Sequence, residues 1–500
     1  MPAKYIPASE ASPELLERRR AKARELTRRW RERNPEKNQV SNRASNGSLS
    51  AKRRERRSDP EFWNHHFRGE KAGVLRMHLM EMAAASDTRL QDLEVLATRN
   101  DPFTLDGAAA QRDGKWFAEQ VSNLVPEGAI HLRGLHYRLV GRGDIHKPDG
   151  NPYINDDDCF KWLNQIAKPA RWLGYIPFEK IVDNRNEPPL ILIREPSPRP
   201  QLDIDLDGAY APCLSDAVPR MSITYGLYHD RPRVARQPYR IILIGEKSSL
   251  SDDLRPIAED VGAELLLPSG ELSETLIYDF AKRAAEDGRP AVVLYFSDFD
   301  PSGNQMPVTV SRKLQALKFL YFPKLVIEVH HVGLTLEQAK QYNLPSTPMK
   351  DGEKRKSGWI AKTGREQTEI DALIALHPSV LGRIAREAVA PFYDAGADRR
   401  LALATNEWLL RAGDALARDT DLPGFNDEIS VALDLVEEAV ERLDAAQERA
   451  KERAAEIPVP NFIPPEPAVA GTLPEPLFDS EGDWIEQTRR LRAYKALDDE

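Results

Sequence analysis

The chain has 500 residues, of which 41% are hydrophobic and 30% charged, and a formal net charge of −9. That length suggests roughly three domains, and that composition fits ordinary folded cores in water. No apolar run reaches the ~18 residues of a membrane span, the polar start MPAKYIPASE has no signal-peptide core, and two cysteines, Cys159 and Cys213, cannot supply a four-ligand zinc cluster or a disulfide scaffold.

Residues 1–58 read as a basic arm. Residues 1–57 hold 17 Lys/Arg against 7 Asp/Glu, a net of +10, which leaves −19 for the rest. A basic arm on an acidic body suits a protein that holds DNA near a metal site, although basic tails also serve solubility alone. Within the arm, 13–35 reads as an exposed Arg/Glu-rich helix. The polar stretch 36–58 reads as disordered. Residues 59–112 are weakly periodic and helical in part. Residues 113–188 carry three helical patterns, WFAEQVSNLV (116–125), HLRGLHYRLV (131–140) and 156–177. In the third, Phe160, Leu163, Ile166 and Ala167 recur at helical spacing. FEKIVDNRN then adds an extended piece. Three helices and a β-wing outline a winged-helix-like DNA-binding domain, though any small helical domain reads similarly. Residues 189–237 are Pro-rich and read as a connector.

Residues 238–393 change character. RIILIGEK (240–247), AELLLPSG, AVVLYFSDFD (291–300) and KLVIEVHHVG (324–333) read as strands. Between them lie SDDLRPIAEDVG, a helix capped by Ser251, then SETLIYDFAKRAAEDG, closed by Gly288, and VTVSRKLQALKFLY. Strands alternating with helices imply a mostly parallel sheet, and continuous apolar strands imply cover on both faces. Residues 346–364 read as a Lys/Gly-rich loop and 366–455 as helical. The helix at 428–456 is long and charged enough to pair with a partner. Residues 457–500 read as a Pro-rich tail. The expected class is thus α/β multidomain, with a helical region over 394–456.

The acids at the strand ends carry the chemistry. Ligand sites in open α/β sheets form beyond the carboxyl ends of strands. Glu246 ends RIILIGE, and Asp298 and Asp300 end AVVLYFSDFD. Two residues apart on an extended chain, the aspartates point to one side. If the two strands are neighbours, three carboxylates converge, and like charges that close need a cation to stay ionised. Oxygen-only ligands favour Mg²⁺. Pro301 stiffens the turn and Gly303 permits close backbone approach. Three surface acids at loop ends would give the same letters.

IILIGEK followed by SDFDPSG resembles the Toprim domain of the topoisomerase VI A subunit and the related meiotic double-strand-break transesterases. HLRGLHYRL (131–139) resembles that family's active-tyrosine motif, and TEIDALIAL (368–376) resembles the helix after its Toprim core. The similarity covers about residues 113–393. It implies a type IIB topoisomerase-like enzyme that cleaves double-stranded DNA with Mg²⁺, by attack of Tyr137 on a backbone phosphate. Arg133 matches the motif's arginine and His136 replaces its first aromatic residue. Mg²⁺ would lie on Glu246, Asp298 and Asp300, with Glu246 also a candidate general acid/base. The family works as a homodimer, in which the tyrosine of one subunit meets the metal of another. An ATPase B-type subunit is not in this chain, so that partner is separate or not needed. A cytoplasmic, nucleoid-associated location and no membrane are implied.

On spacing alone Tyr137 reads as a helical core aromatic, and the resemblance makes it the nucleophile. His136 reads as a surface residue. Lys161, Lys168 and Arg171 on the third helix, and Asn184 and Arg185 on the wing, are candidate phosphate contacts. Lys247 is either another such contact or a solvated strand-end charge. Two alternatives stay open: a Toprim nuclease that hydrolyses DNA without the tyrosine, and a non-catalytic DNA-binding protein.

Overall fold

The computed structural model describes Gly69 and residues 71–183, 185–207, 222–227, 233–350, 353–433, 436–468 and 471–495. The basic arm, with its expected helix at 13–35, and Asn184 lie outside the described residues. The chain is mixed helix and sheet and divides into two compact units. The first takes residues up to Leu192, Tyr239–Val389 and the segment from Leu473; the second takes Ile193–Pro238 and Ala390–Thr472. Among the described residues no helix is long and apolar enough to cross a membrane.

The first unit begins with helices that share one core. Ala108–Leu124, Leu132–Arg142 and Asp157–Trp172 bring Phe117, Val121, Leu135, Leu139, Leu163, Ile166 and Ala167 together. Asp156 starts the third helix by accepting from the Cys159 N–H at 2.6 Å. Cys159 is buried on this face, whereas Phe160 is only half-buried. The extended piece expected after this helix is present as a strand of two residues. β1 (Ile130–His131) pairs in parallel with β2 (Ile181–Val182). Each strand is two residues long and buries its isoleucine, so apolar contact rather than a turn places this segment.

The remaining strands are β3 (Leu190–Ile191), β4 (Leu202–Asp207), β5 (Ser222–Leu227), β6 (Arg240–Gly245), β7 (Glu264–Leu266), β8 (Ala291–Phe296), β9 (Ile327–Gly333) and β10 (Phe478–Asp479). Six form one sheet in the order β10-β9-β8-β6-β7-β3. β6 to β9 run parallel, and β3 and β10 are antiparallel edges. Every residue of β6 and β8 is buried, which is why their sequences are apolar without alternation. Helix Glu274–Asp287 starts at Ser273, whose side chain accepts from the Leu276 N–H, and ends at Gly288 with φ 77°.

Several expectations need correction. Ser251 is not a cap: a 3₁₀ turn at Ser248–Leu250 leads into helix Ser251–Val261, and no side chain caps it. The expected connector is structured. Its start supplies β3, and β4 and β5 pair antiparallel in the second unit, alongside helices Ala397–Asp419, Leu422–Leu433 and Val436–Glu456. The expected 346–364 loop contains helix Lys356–Thr363, anchored by Trp359, which is buried and donates from Nε1 to the Glu366 carbonyl at 3.1 Å. The expected tail ends in β10 and helix Trp484–Lys495, which buries Ile485 and Leu491 in the main core.

Arg312, on helix Pro301–Leu320, ties these parts together. Its guanidinium is fully buried against Asp101, also fully buried, with Nε 3.0 Å from Oδ1. It donates to the Leu93 carbonyl at 3.0 Å and to Gln315 at 2.9 Å, and Thr488 of the last helix lies 3.5 Å away. Asp101 also accepts from the N–H groups of Val95, Leu96 and Phe103. Removing one partner of such a pair strands the other charge without water. Arg312→Met is expected to cost about 3–5 kcal/mol in urea unfolding. Arg89→Met, which breaks the exposed Arg89–Asp92 pair, should leave the midpoint within error.

Candidate active site

β6 and β8 are hydrogen-bonded neighbours, with Gly245 opposite Phe296. Glu246 continues that ladder. Its N–H donates to the Phe296 carbonyl at 2.9 Å, and its Oε2 accepts from the Asp298 N–H at 2.9 Å. The glutamate and the aspartate pair therefore meet at the carboxyl edge of the sheet. Asp298 is buried. Its Oδ1 accepts from the Ile370 N–H at 2.9 Å, and its Oδ2 lies 2.8 Å from Lys247 Nζ. Asp300 caps helix Pro301–Leu320 by accepting from the Gly303 N–H at 2.6 Å. Only glycine fits at 303, because a Cβ there would overlap the Asp298 carbonyl oxygen.

A buried relay supports this loop from below. Ser297 Oγ donates to the Gly303 carbonyl at 2.9 Å and lies 3.1 Å from His331 Nε2. Its hydroxyl proton is thus committed, and His331 Nε2–H donates to it. His331 Nδ1 then accepts from the Tyr494 hydroxyl of the last helix. Burial holds His331 down at about 4, which keeps it neutral as this pattern requires.

Charge at the sheet edge is unbalanced. Burial, and then the negative charge of Asp298, push Glu246 up to about 7; Asp300 adds to this. Burial also raises Asp300, with Asp298 contributing. Lys247 answers part of this charge. Its Nζ lies 2.8 Å from Asp298, 2.8 Å from Asp371 and 3.4 Å from Glu369. Burial opposes its charge, but hydrogen bonds to Asp298 and Asp371 outweigh burial and raise its pKa. Lys247 is therefore neither a solvated strand-end charge nor a free phosphate contact, because its ammonium is committed to three carboxylates.

Sequence reasoning missed Glu369, Asp371 and Arg355 as parts of this site. Phe299 and Thr368 exchange backbone hydrogen bonds at 2.9 Å, which draws TEIDALIAL against the aspartate loop. The alternating acids of that motif were the available signal. Arg355 donates to the Pro301 carbonyl at 3.1 Å and to Ser302 Oγ at 3.0 Å, beside Asp300.

The oxygen-only donor set suits Mg²⁺, and the raised Glu246 marks negative charge that a cation would relieve. The carboxylates are not gathered round one point. Among the described residues no group of three His, Cys, Asp or Glu is arranged to hold an ion. Each of the three acids accepts a backbone N–H instead, so an ion must share or displace those bonds. A comparison with protein-family models finds no match to the chain, and a comparison with curated proteins finds none.

Helix Leu132–Arg142 turns Leu135, His136 and Leu139 inward and Arg133 and Tyr137 outward. Tyr137 is 53% exposed, so it is not a core aromatic. Arg133 stands one turn earlier on the same face, with its guanidinium 4.8 Å from the Phe160 ring centre. His136 is buried rather than at the surface. Its Nδ1 lies 2.7 Å from the Tyr153 hydroxyl and its Nε2 3.1 Å from Asn155 Oδ1.

The candidate phosphate contacts separate. Lys161 and Arg185 are exposed as expected, and Arg185 reaches the Ser269 carbonyl at 3.4 Å. Lys168 is half-buried and donates to Asn100 Oδ1 at 3.1 Å. Arg171 is buried, with Nε on the Ala167 carbonyl and a terminal nitrogen 3.1 Å from Thr275 Oγ1. The third helix therefore does not present its three cations as one outer face, because its last turn packs on helix Glu274–Asp287.

Glu246 sets a pH dependence. Its folded pKa of about 7 exceeds its ordinary 4.5. The stability it contributes is thus complete below about pH 4.5 and is lost as the pH rises through about 7. Without added ion, Glu246→Gln should melt roughly 1 °C above the parent at pH 8, a gain of about 1 kcal/mol, and show no gain at pH 5. An equal difference at both pH values in a calorimetric scan would contradict the raised pKa.

Proposed function

We propose that the protein cleaves double-stranded DNA by Mg²⁺-dependent tyrosine transesterification, as its resemblance to the topoisomerase VI A subunit implies. One observation carries the reading most: Glu246 grips the Asp298 backbone at the sheet edge, in a chain that also exposes Tyr137 beside Arg133. In this reading the helices before the sheet are the winged-helix-like DNA-binding domain, and 238–393 is the Toprim domain. The working unit is a homodimer, in which the tyrosine of one copy meets the acids of the other. Any ATPase B-type subunit is a separate chain.

In the reaction, Tyr137 Oη forms a bond to phosphorus, and the bond from phosphorus to the 3′ oxygen breaks. The DNA 5′ end stays on the tyrosine, the phenol proton passes to a base, and the 3′ oxygen takes up a proton. Arg133 favours both the phenolate and the phosphate by its charge. Glu246, titrating near neutrality, is suited to hold or give a proton at the leaving oxygen. Mg²⁺ held by Asp298 and Asp300 would supply charge stabilisation at the phosphate, and Glu246 would join them as a ligand only where it does not carry the proton. Lys247 holds Asp298 in place, and Arg355 holds the turn after Asp300.

The same near-neutral Glu246 favours a second reading, hydrolysis by an activated water with Tyr137 uninvolved. Supercoiled DNA incubated with Mg²⁺ and stopped with denaturant separates the two. Transesterification predicts protein covalently attached to 5′ ends, abolished by Tyr137→Phe and reduced at least about 100-fold by Asp298→Asn. Cutting that persists in Tyr137→Phe without an adduct would transfer the function to hydrolysis. Loss of all cutting with DNA binding intact would leave a binding protein.

A further inference from the structure

A cleft of about 930 Å³ opens between helices Leu132–Arg142 and Asp157–Trp172 and the loop leading into helix Glu274–Asp287. Its walls carry Arg133, Lys168, Arg171, Arg185 and Lys313. Three acids face these five cations: Asp183, Glu271 and Glu274. The surplus is greatest at the floor, where Arg171, Lys313 and Glu274 are all at least nine-tenths buried. Lys313 Nζ lies 2.9 Å from Glu274, whose other oxygen accepts from Trp172 Nε1 at 2.9 Å. Glu271, exposed at the rim, lies 3.7 Å from Lys313 Nζ, so one buried and one exposed carboxylate answer these two buried cations. Lys168 has a neutral amide as its hydrogen-bond partner, Asn100 Oδ1 at 3.1 Å. Burial holds Lys168 below its ordinary pKa; Glu274 opposes that, and Lys313 and Arg171 reinforce it. Crowded, desolvated cations of this kind gain from an anion. Phe160 lines the same cleft with Arg133 over its ring, and the outer face of that guanidinium is a flat cationic surface on which a planar base can stack against the pair. The volume is at the upper end of small-ligand sites.

We propose that this cleft binds a nucleotide-sized phosphate ester, with the phosphate at Lys168 and Arg185 and the base against the Arg133–Phe160 pair. The cleft adjoins the sheet edge, since Gly270 in its wall donates to the Glu246 carbonyl at 3.0 Å, but the proposal does not require the acids there to be catalytic. Two sources share this chemistry, the end of a single DNA strand and a free nucleotide.

The test uses the full chain in EDTA at about 0.15 M salt, so that cleavage plays no part. The probe is a 5′-phosphorylated thymidine dinucleotide with a 3′ fluorophore, followed by anisotropy. Saturable binding is expected, weakened at least tenfold by Lys168→Gln and by Arg185→Ala. Lys115→Ala, exposed on helix Ala108–Leu124 and outside the cleft, should change it less than twofold. Unlabelled thymidine 5′-monophosphate competing as well as the dinucleotide would identify a free-nucleotide site. Competition by the dinucleotide alone would identify a strand end, and both results support the proposal. It is overturned by absence of saturable binding, by Lys115→Ala weakening binding as much as Lys168→Gln, or by inorganic phosphate competing equally, which would mark an adventitious anion only. Failure of the adduct assay above leaves this result unaffected, so the two readings fail separately.

Discussion

The parallel register of β6 and β8 is the constraint on which the sheet-edge site depends. With Gly245 opposite Phe296, the next residue on one strand must face the loop leaving the other. Glu246 is then hydrogen-bonded at both its backbone and its side chain to that loop. A slip of one residue would turn its carboxylate to the opposite face. Because both strands are buried along their whole length, the apolar packing that fixes the register also desolvates the acids it brings together. Crowding and burial have one cause here, and the raised Glu246 expresses both.

The loop between β8 and its helix is held from three directions. Ile370 and Lys247 hold the Asp298 carboxylate, Gly303 holds Asp300, and the relay from Ser297 through His331 to Tyr494 fixes the turn from beneath. The same helix carries Arg312, which binds Asp101 before the first helical module and reaches Thr488 near the C-terminus. Helix Pro301–Leu320 is thus capped by a site residue at one end and locked by a buried cation in its middle. Its large buried face explains why charged residues such as Arg312 and Lys313 occur in it with specific acidic partners.

Local pattern made the central sheet readable in advance. Apolar runs ending in acids marked β6 and β8, and Asp-Phe-Asp-Pro-Ser-Gly marked a turn with close backbone approach at its glycine. What resisted reading was set by contacts distant in sequence. Leu190–Ile191 became an edge strand only because β7 was there to pair with it, and the C-terminal helix is helical against a core made elsewhere. Charges misled for the same reason. Pattern alone places Lys168, Arg171 and Lys247 where phosphate or solvent would meet them, and each faces partners contributed by remote segments. Glu369 and Asp371 were visible as letters, but their approach to Lys247 depends on the Phe299–Thr368 pairing.

The choice between a tyrosine and a water nucleophile turns on how protons are handled. An exposed tyrosine costs a fold little, so exposure alone does not argue for attack by Tyr137. Its face of the helix does add something, since Arg133 stands exposed one turn away, with its guanidinium over the Phe160 ring. Glu246, by contrast, suits either chemistry, because a group titrating near neutrality can take a proton from water or give one to a departing oxygen. The acids are therefore the part of the machinery common to both readings, and Tyr137 is the part that separates them. Asp298 cannot readily share the proton role with Glu246, since its carboxylate is already engaged by the Ile370 N–H and by Lys247. The two neighbouring acids are thus unequal in environment, which is the condition for them to take different roles.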